Sequence, residues 1–457
     1  MRAVTCLLVT VLLIGTVASL NITPVNGVGV DSLLSVDWTH YHNYTEIADI
    51  LLQLNLTYPD IVDVFSIGKS YFGKDIFCVR LTNETQTGLK PKVLFVGYHH
   101  ATERISAELP LFFVVETVTN WGLNQTVNSM LNRAEIYVIV ALNVDGFEAV
   151  ERNEWQRKSL RPYDEDGDGL FDEDLPDDAN GDGYIEDLVR WTDNGWEFVR
   201  WEGADDDGDG LLNEDWAGGV DLNRNYGYEW NATCDFPGSP NPSYEDYRGP
   251  EPFSENETQV MRDFALQHQF QYAISFHSGG EWVARPWMYT LESPEDDKVF
   301  KEVGGNISNL VGIRFPYSDV RSTVSGVWDD WMYGNRSVIA LTCEIYRNLT
   351  ALSYTPAGGD LYWERGITLM FNPEPTDIET VLHRWLPVFT YIAGLARPPL
   401  AGDVNGDKKV DGRDIAIVAK YFGSIGGYPP EADLNLDGKV DGKDIAIVAK
   451  DFGKTYI

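Results

Sequence analysis

Apolar residues recur along this chain in two rhythms. Residues 44–54 place them three and four apart, the spacing of one helix face, and residues 107–120 show a second helical pattern. Between such stretches lie short, nearly unbroken apolar runs: 92–97 (KVLFVG), 135–143 (EIYVIVALN), 272–277 and 338–345. A strand that is apolar on successive residues has both of its faces covered. Helices alternating with runs of this kind, from about residue 37 to 396, predict an α/β sheet with helices on both faces.

Two segments break the pattern at the ends. At the N-terminus Arg2 precedes an apolar core, Leu7 to Ile14, and the small residues Val17, Ala18 and Ser19, which is the layout of an export signal over residues 1–19. Near the other end Arg397-Pro398-Pro399-Leu400 marks a linker over 397–401. Beyond it, over 402–457, a 30-residue repeat appears. Asp403, Asn405, Asp407, Asp411 and Asp414 are matched by Asp433, Asn435, Asp437, Asp441 and Asp444, and each set runs into the helical stretch DIAIVAK. Oxygen side chains at loop positions 1, 3, 5, 9 and 12 supply what a seven-coordinate calcium requires.

Charge narrows the function. The net charge is −36, which argues against nucleic acids and anionic membranes as partners. Half of it sits in residues 161–216, with 21 acidic residues against 3 arginines. Ten Asn-x-Ser/Thr sequons fit an exported, glycosylated protein. With the signal removed, Cys78, Cys234 and Cys343 remain, so at most one disulfide forms, and Cys343 in its apolar run reads as a buried small hydrophobe. No membrane span is expected after signal cleavage.

The candidate chemistry lies at the ends of apolar runs. His100 and Glu103 follow KVLFVG, His277 closes the run 272–277, and Glu344 lies in the run 338–345. Two imidazoles and a carboxylate form a hydrolytic zinc set, leaving one tetrahedral position open. His99 is a rival ligand, but using it would break the three-residue spacing to Glu103.

The surrounding motifs resemble the zinc carboxypeptidases, the funnelin family of carboxypeptidases A, B and T. They are Ser66 to Ile76, HxxE, Asn143-Val144-Asp145-Gly146-Phe147, Trp155-Gln156-Arg157-Lys158, Asp221-Leu222-Asn223-Arg224-Asn225, Tyr247-Arg248-Gly249-Pro250, Asp330-Trp331 and Glu344, in family order. The resemblance implies a mixed, mostly parallel central sheet and a catalytic domain over 37–396. It implies zinc on His100, Glu103 and His277, with Glu344 as general base for the attacking water and proton donor to the leaving amine. Arg157 would stabilise the oxyanion, and Asn223 and Arg224 would hold the substrate's terminal carboxylate. Asp329, aligned on Trp331, would face a C-terminal Lys or Arg. Thr102 stands where the family has an arginine. Ser322 stands where a flexible tyrosine is expected, with Tyr317 as a stand-in if the loop is rearranged. Family-like sequence begins near Asp37, so no inhibitory pro-domain is expected.

Residues 159–217 replace a short family loop with an acidic insertion. Asp164, Asp166 and Asp168, then Asp178, Asn180 and Asp182, then Asp205, Asp207 and Asp209 carry calcium-loop spacing, and nearby apolar pairs argue against disorder. The C-terminal repeat resembles a dockerin, which implies a cohesin-type partner. Lys408 departs from the usual glycine, and Gly412-Arg413 and Gly442-Lys443 depart from the usual recognition pair. The expected protein is a secreted zinc carboxypeptidase, free or surface-tethered, with several structural calcium ions, acting on peptide or protein C-termini. The alternatives are a carboxypeptidase for cell-wall peptides and a catalytically silent binding module.

Overall fold

The structure is a computed structural model. It describes residues 36–457 apart from 87–88, 153–155, 164–170, 172–173, 182–184, 194, 207, 209, 211, 213–217, 243, 314–321, 399, 406, 408, 430–431, 436 and 456–457. The expected signal segment 1–19 lies outside the described residues, as do Asp164, Asp166, Asp168, Asp182, Asp207, Asp209 and Tyr317.

The strands in chain order are β1 Val62–Lys69, β2 Asp75–Leu81, β3 Lys92–Val96, β4 Glu135–Ile139, β5 Asp187–Thr192, β6 Gly195–Trp201, β7 Phe270–His277, β8 Gly280–Ala284, β9 Ile339–Tyr346, β10 Ser353–Gly358 and β11 Leu361–Arg365. Among the described residues the main sheet runs β1-β2-β4-β3-β7-β9-β8. Its centre, β4-β3-β7-β9, is parallel, and antiparallel pairs finish both margins. Every residue of β7 is buried, as the unbroken apolar run requires of a central strand.

Helix Ile105–Thr119 is buried almost all round, which explains why its apolar residues do not keep to one face. It packs on the sheet side by side with helix Ile378–Leu395. Phe389 of the latter stacks on Phe113 at 4.1 Å and meets Phe95 at 4.5 Å and Phe276 at 5.0 Å. Each ring pair of this kind adds about 0.5–1.5 kcal/mol beyond area burial. This cluster sits under β3 and β7, the two strands that deliver the histidines. The close approach has one sequence requirement. A Cβ at Gly97 would collide with the backbone oxygens of Ser106 and Val140, so only glycine lets the helix begin this near the end of β3.

A second, four-stranded sheet, β10-β11-β5-β6, is antiparallel throughout. The acidic insertion therefore does more than form loops. Its hairpin β5–β6 pairs with the hairpin that follows Glu344 in the chain, placing Asp187 opposite Glu364.

The C-terminal repeat folds as expected from its symmetry. Helices Gly412–Lys420 and Gly442–Asp451 bury Val418 and Val448 in a common core with Val404, Val410, Ala432 and Val440. In each copy the last acid of the loop closes it. Asp414 accepts from Val404 and Asn405 N–H, and Asp444 from Leu434 and Asn435 N–H. The same two acids complete capping boxes with Asp411 and Asp441.

Cys78, Cys234 and Cys343 are unpaired, and Cys343 is fully buried. Among the sequon asparagines, Asn83 is turned inward, donating to Asn132 at 2.7 Å. No helix among the described residues is long and apolar enough to cross a membrane.

Candidate active site

Strand ends and register assemble the site. The chain leaves β3 through Tyr98, whose left-handed φ of 57° is held by stacking on Phe147 at 4.3 Å. The tight turn that follows carries His100 and Glu103. β7 and β9 pair in parallel with His277 beside Glu344, so both side chains leave the sheet on the same face.

His100, Glu103 and His277 converge. His100 Nδ1 lies 2.7 Å from Glu103 Oε1, His277 Nδ1 lies 3.0 Å from Oε2, and the two Nδ1 atoms are 3.1 Å apart. All three residues are buried, and they are the group among the described residues that could hold a metal ion. Their outer contacts fit that use. His100 Nε2 faces the Asp221 carboxylate at 3.0 Å. A carboxylate cannot donate, so the neutral ring keeps its proton there and turns the Nδ1 lone pair inward. His277 Nε2 is likewise engaged by Ser275 Oγ at 3.0 Å. Two inward nitrogens and a carboxylate this close together suit a cation between them.

His99, the rival ligand, is turned away. Its ring nitrogens meet Ser275 Oγ at 3.0 Å and Tyr226 OH at 3.1 Å, and its ring stacks on His277. Burial pushes its pKa well down, so it acts as a neutral prop.

Asp221 is the residue that sequence reasoning missed. It is fully buried and joins four partners. Oδ1 meets His100 Nε2 and accepts from Asn223 N–H at 2.8 Å, while Oδ2 accepts from Arg157 Nε at 2.9 Å and lies 3.9 Å from Arg224 Nη1. Burial would raise its pKa, but Arg157 and then His100 hold it well below the usual carboxylate range. Its place just before Asn223-Arg224 was the available signal.

Glu344 behaves differently. Its Oε2 is buried without a hydrogen-bond partner. Burial, then the Glu103 charge, pushes its carboxyl well above the ordinary value, while Arg157 pulls the other way. A carboxylate with one unsatisfied oxygen beside a metal-competent trio is poised to exchange a proton with something placed there.

Arg157, Asn223 and Arg224 lie on the side of the trio marked by Asp221. Arg157 Nη1 is 3.6 Å from Glu103 Oε1. Asn223 Oδ1 accepts from Trp328 N–H at 2.9 Å, which orients the amide so that its NH₂ remains for a ligand. Arg224 donates to Asn223 O at 2.8 Å, and its Nε is buried without a partner. Asp329 is buried at 1% exposure. One oxygen accepts from Asp330 N–H and the other, Oδ2, has no partner. Burial pushes its carboxyl up to about 7, with Arg224 among the groups opposing the rise. Neighbouring Asp330 is committed to structure, accepting from Met288 and Tyr289 N–H. Ser322, at the position of the expected tyrosine, is exposed.

The acidic insertion turns much of its described charge onto its own backbone. Asp178 accepts from Gly181 N–H, Asp205 from Gly208 and Gly210 N–H, and buried Glu202 from Asn180 and Glu186 N–H.

Comparison with known proteins places this geometry. Residues 47–381 match the zinc carboxypeptidase family, and residues 401–453 match the dockerin type I domain. The chain belongs to the zinc carboxypeptidase family and carries a dockerin at its C-terminal end. Carboxypeptidase B of Astacus astacus is 26% identical over 320 residues, covering 68% of this chain and 88% of that protein. Carboxypeptidase A6 of Homo sapiens is 25% identical over 325 residues, covering 69% of this chain. The match spans only 62% of the human protein's length. Among solved structures, thrombin activatable fibrinolysis inhibitor superposes with a TM-score of 0.57 at 20% identity, covering 78% of this chain and 74% of that one. Carboxypeptidase A from Helicoverpa armigera does so at 0.56 and 18%, covering 78% and 73%. These two likenesses are of fold. The family implies zinc, and the donor set of the buried trio fits it. The dockerin implies calcium.

Proposed function

We propose that this protein is a secreted zinc carboxypeptidase that removes C-terminal residues from peptides and proteins, with a preference for Lys and Arg. The carrying observation is Glu344, part-buried with an enclosed, partnerless Oε2 and in register beside His277 of the trio. Zinc held by His100, Glu103 and His277 would supply polarisation of the scissile carbonyl and acidification of the attacking water. Glu344 takes the proton from that water and passes it to the leaving amine. The Arg157 guanidinium, anchored by Asp221, faces the oxyanion. Arg224 and the freed Asn223 amide hold the terminal carboxylate, which restricts cleavage to the last residue.

The basic preference rests on Asp329. A buried carboxylate with an unused oxygen suits the cationic end of a Lys or Arg side chain. With its pKa raised to about 7, Asp329 is mostly neutral at pH 6 and mostly charged at pH 8. The ratio of kcat/KM for a peptide ending in Lys over one ending in Phe should therefore rise about tenfold across that interval. In Asp329→Asn the ratio should be low and flat. A steep rise that survives the substitution would remove Asp329 from specificity.

We further propose that the insertion binds calcium through Asp178, Asn180 and Asp205 with their neighbours, and that the dockerin binds it through Asp403, Asn405, Asp407, Asp411 and Asp414 and the second set. Tethering to a cohesin-type module follows from the dockerin. Its Arg413 and Lys443 are exposed and reach back to Asp407 and Asp437 of their own loops, which gives the two copies matching basic surfaces.

A further inference from the structure

The turn carrying Glu103 opens a helix that has no cap of its own. Arg104 stands at the cap position of Ile105–Thr119 and makes no side-chain capping bond. An uncapped, buried helix start leaves N–H groups that must find partners elsewhere. One partner comes from 267 residues further along the chain, where Asn372 Oδ1 accepts from Ile105 N–H at 3.0 Å. The same amide's Nδ2 donates to Thr102 O at 2.7 Å and to Thr368 O at 3.1 Å. Asn372 is 1% exposed, and its two contacts on the turn fall on either side of Glu103.

The segment leading to Asn372 also touches the other ligand strand. Phe371 packs so closely on Gly279, two residues beyond His277, that any Cβ there would enter its ring. Gly279 adopts φ +105°, a conformation that glycine reaches without strain. Helix Ile367–Phe371 and Asn372 thus bear on both segments that supply the trio. This helix starts one residue after Gly366, which follows β11, the strand that pairs with β5 of the acidic insertion. Ordering of the insertion and placement of the ligand turn therefore share one strand.

We propose that Asn372 is a positioning residue for the metal centre: by clamping the backbone on both sides of Glu103 it fixes that carboxylate against His100 and His277. This rests on the zinc reading above. A group that orients metal ligands typically changes metal affinity about 10- to 100-fold when removed. In the full-length protein, Asn372→Ala should weaken zinc binding by about that factor in competition with a chelator. With zinc saturating, kcat should fall while KM changes little, because Asn223 and Arg224 are untouched. A folded Asn372→Ala with wild-type zinc affinity would overturn the proposal. Should the variant not fold, the wild type decides by hydrogen exchange. Zinc added to the metal-free protein should slow exchange at Ile105 and across 367–372, since coupling between ligand and clamp is reciprocal. Unchanged exchange at 367–372 would overturn the proposal equally. A wild type that binds no zinc at all would remove the zinc reading itself, and that is seen before any variant is compared.

Discussion

Glu344→Gln should lower kcat by about 10²- to 10⁴-fold, the contribution typical of a positioned general base. Glutamine keeps the shape and the buried volume but cannot take up a proton. KM for a peptide should stay within a few-fold, because the terminal carboxylate is assigned to Arg224 and Asn223. Zinc content should also be unchanged, since the metal-competent trio is His100, Glu103 and His277. The fold should tolerate the change, because Oε2 makes no hydrogen bond that glutamine would lose. The acidic limb of the wild-type kcat/KM profile should reflect Glu344. Its carboxyl is raised by burial and by Glu103, so activity is lost as pH falls through that raised value. Arg157 opposes the rise, and a cation in the trio would offset the Glu103 charge. A Glu344→Gln protein with zinc bound and near-normal kcat would remove this residue from proton transfer.

Arg224→Ala should lower kcat/KM by about 10²- to 10³-fold, within the 2–5 kcal/mol expected when one partner of a buried charge pair is truncated. Most of the loss should appear in KM. The guanidinium is already oriented by its bond to Asn223 O and by Asp221, and its buried Nε is unused. A substrate carboxylate offers the missing acceptor. Arg224→Lys should recover only part of the loss, since an ammonium lacks the planar fork. The sharper readout is the ratio of rates on peptides with free and amidated C-termini. It should be large in the wild type and collapse in Arg224→Ala. An unchanged ratio would place carboxylate recognition elsewhere.

How much of this was legible in the sequence depended on whether a feature is local. The runs 92–97, 135–143, 272–277 and 338–345 are strands because local apolarity alone marks a buried strand, and each appears within a few residues of its expected bounds. The trio was legible because its members end such runs and keep the HxxE spacing. Asp221 was not, because its role lies in four contacts, two of them with residues far away in the chain, His100 and Arg157. The second sheet was hidden for a similar reason. Residues 187–201 mix acids and tryptophans without a clean alternation, and the partner strand β11 lies far along the chain. Asn372 gave no local sign, since a lone asparagine after a short helix ordinarily reads as a turn residue. Asp329 was placed by its spacing from Trp331, and burial is what makes its charge titratable near neutral pH.

The measurement that bears most directly on the account is release of C-terminal residues from a mixed peptide set by the protein loaded with zinc and calcium, with metal-stripped protein alongside. Single residues should be lost stepwise from free C-termini, Lys and Arg fastest, with none lost from amidated C-termini and none after zinc is removed. Undiminished cleavage by the stripped protein, or no release from any peptide by a protein shown to hold zinc, would contradict it.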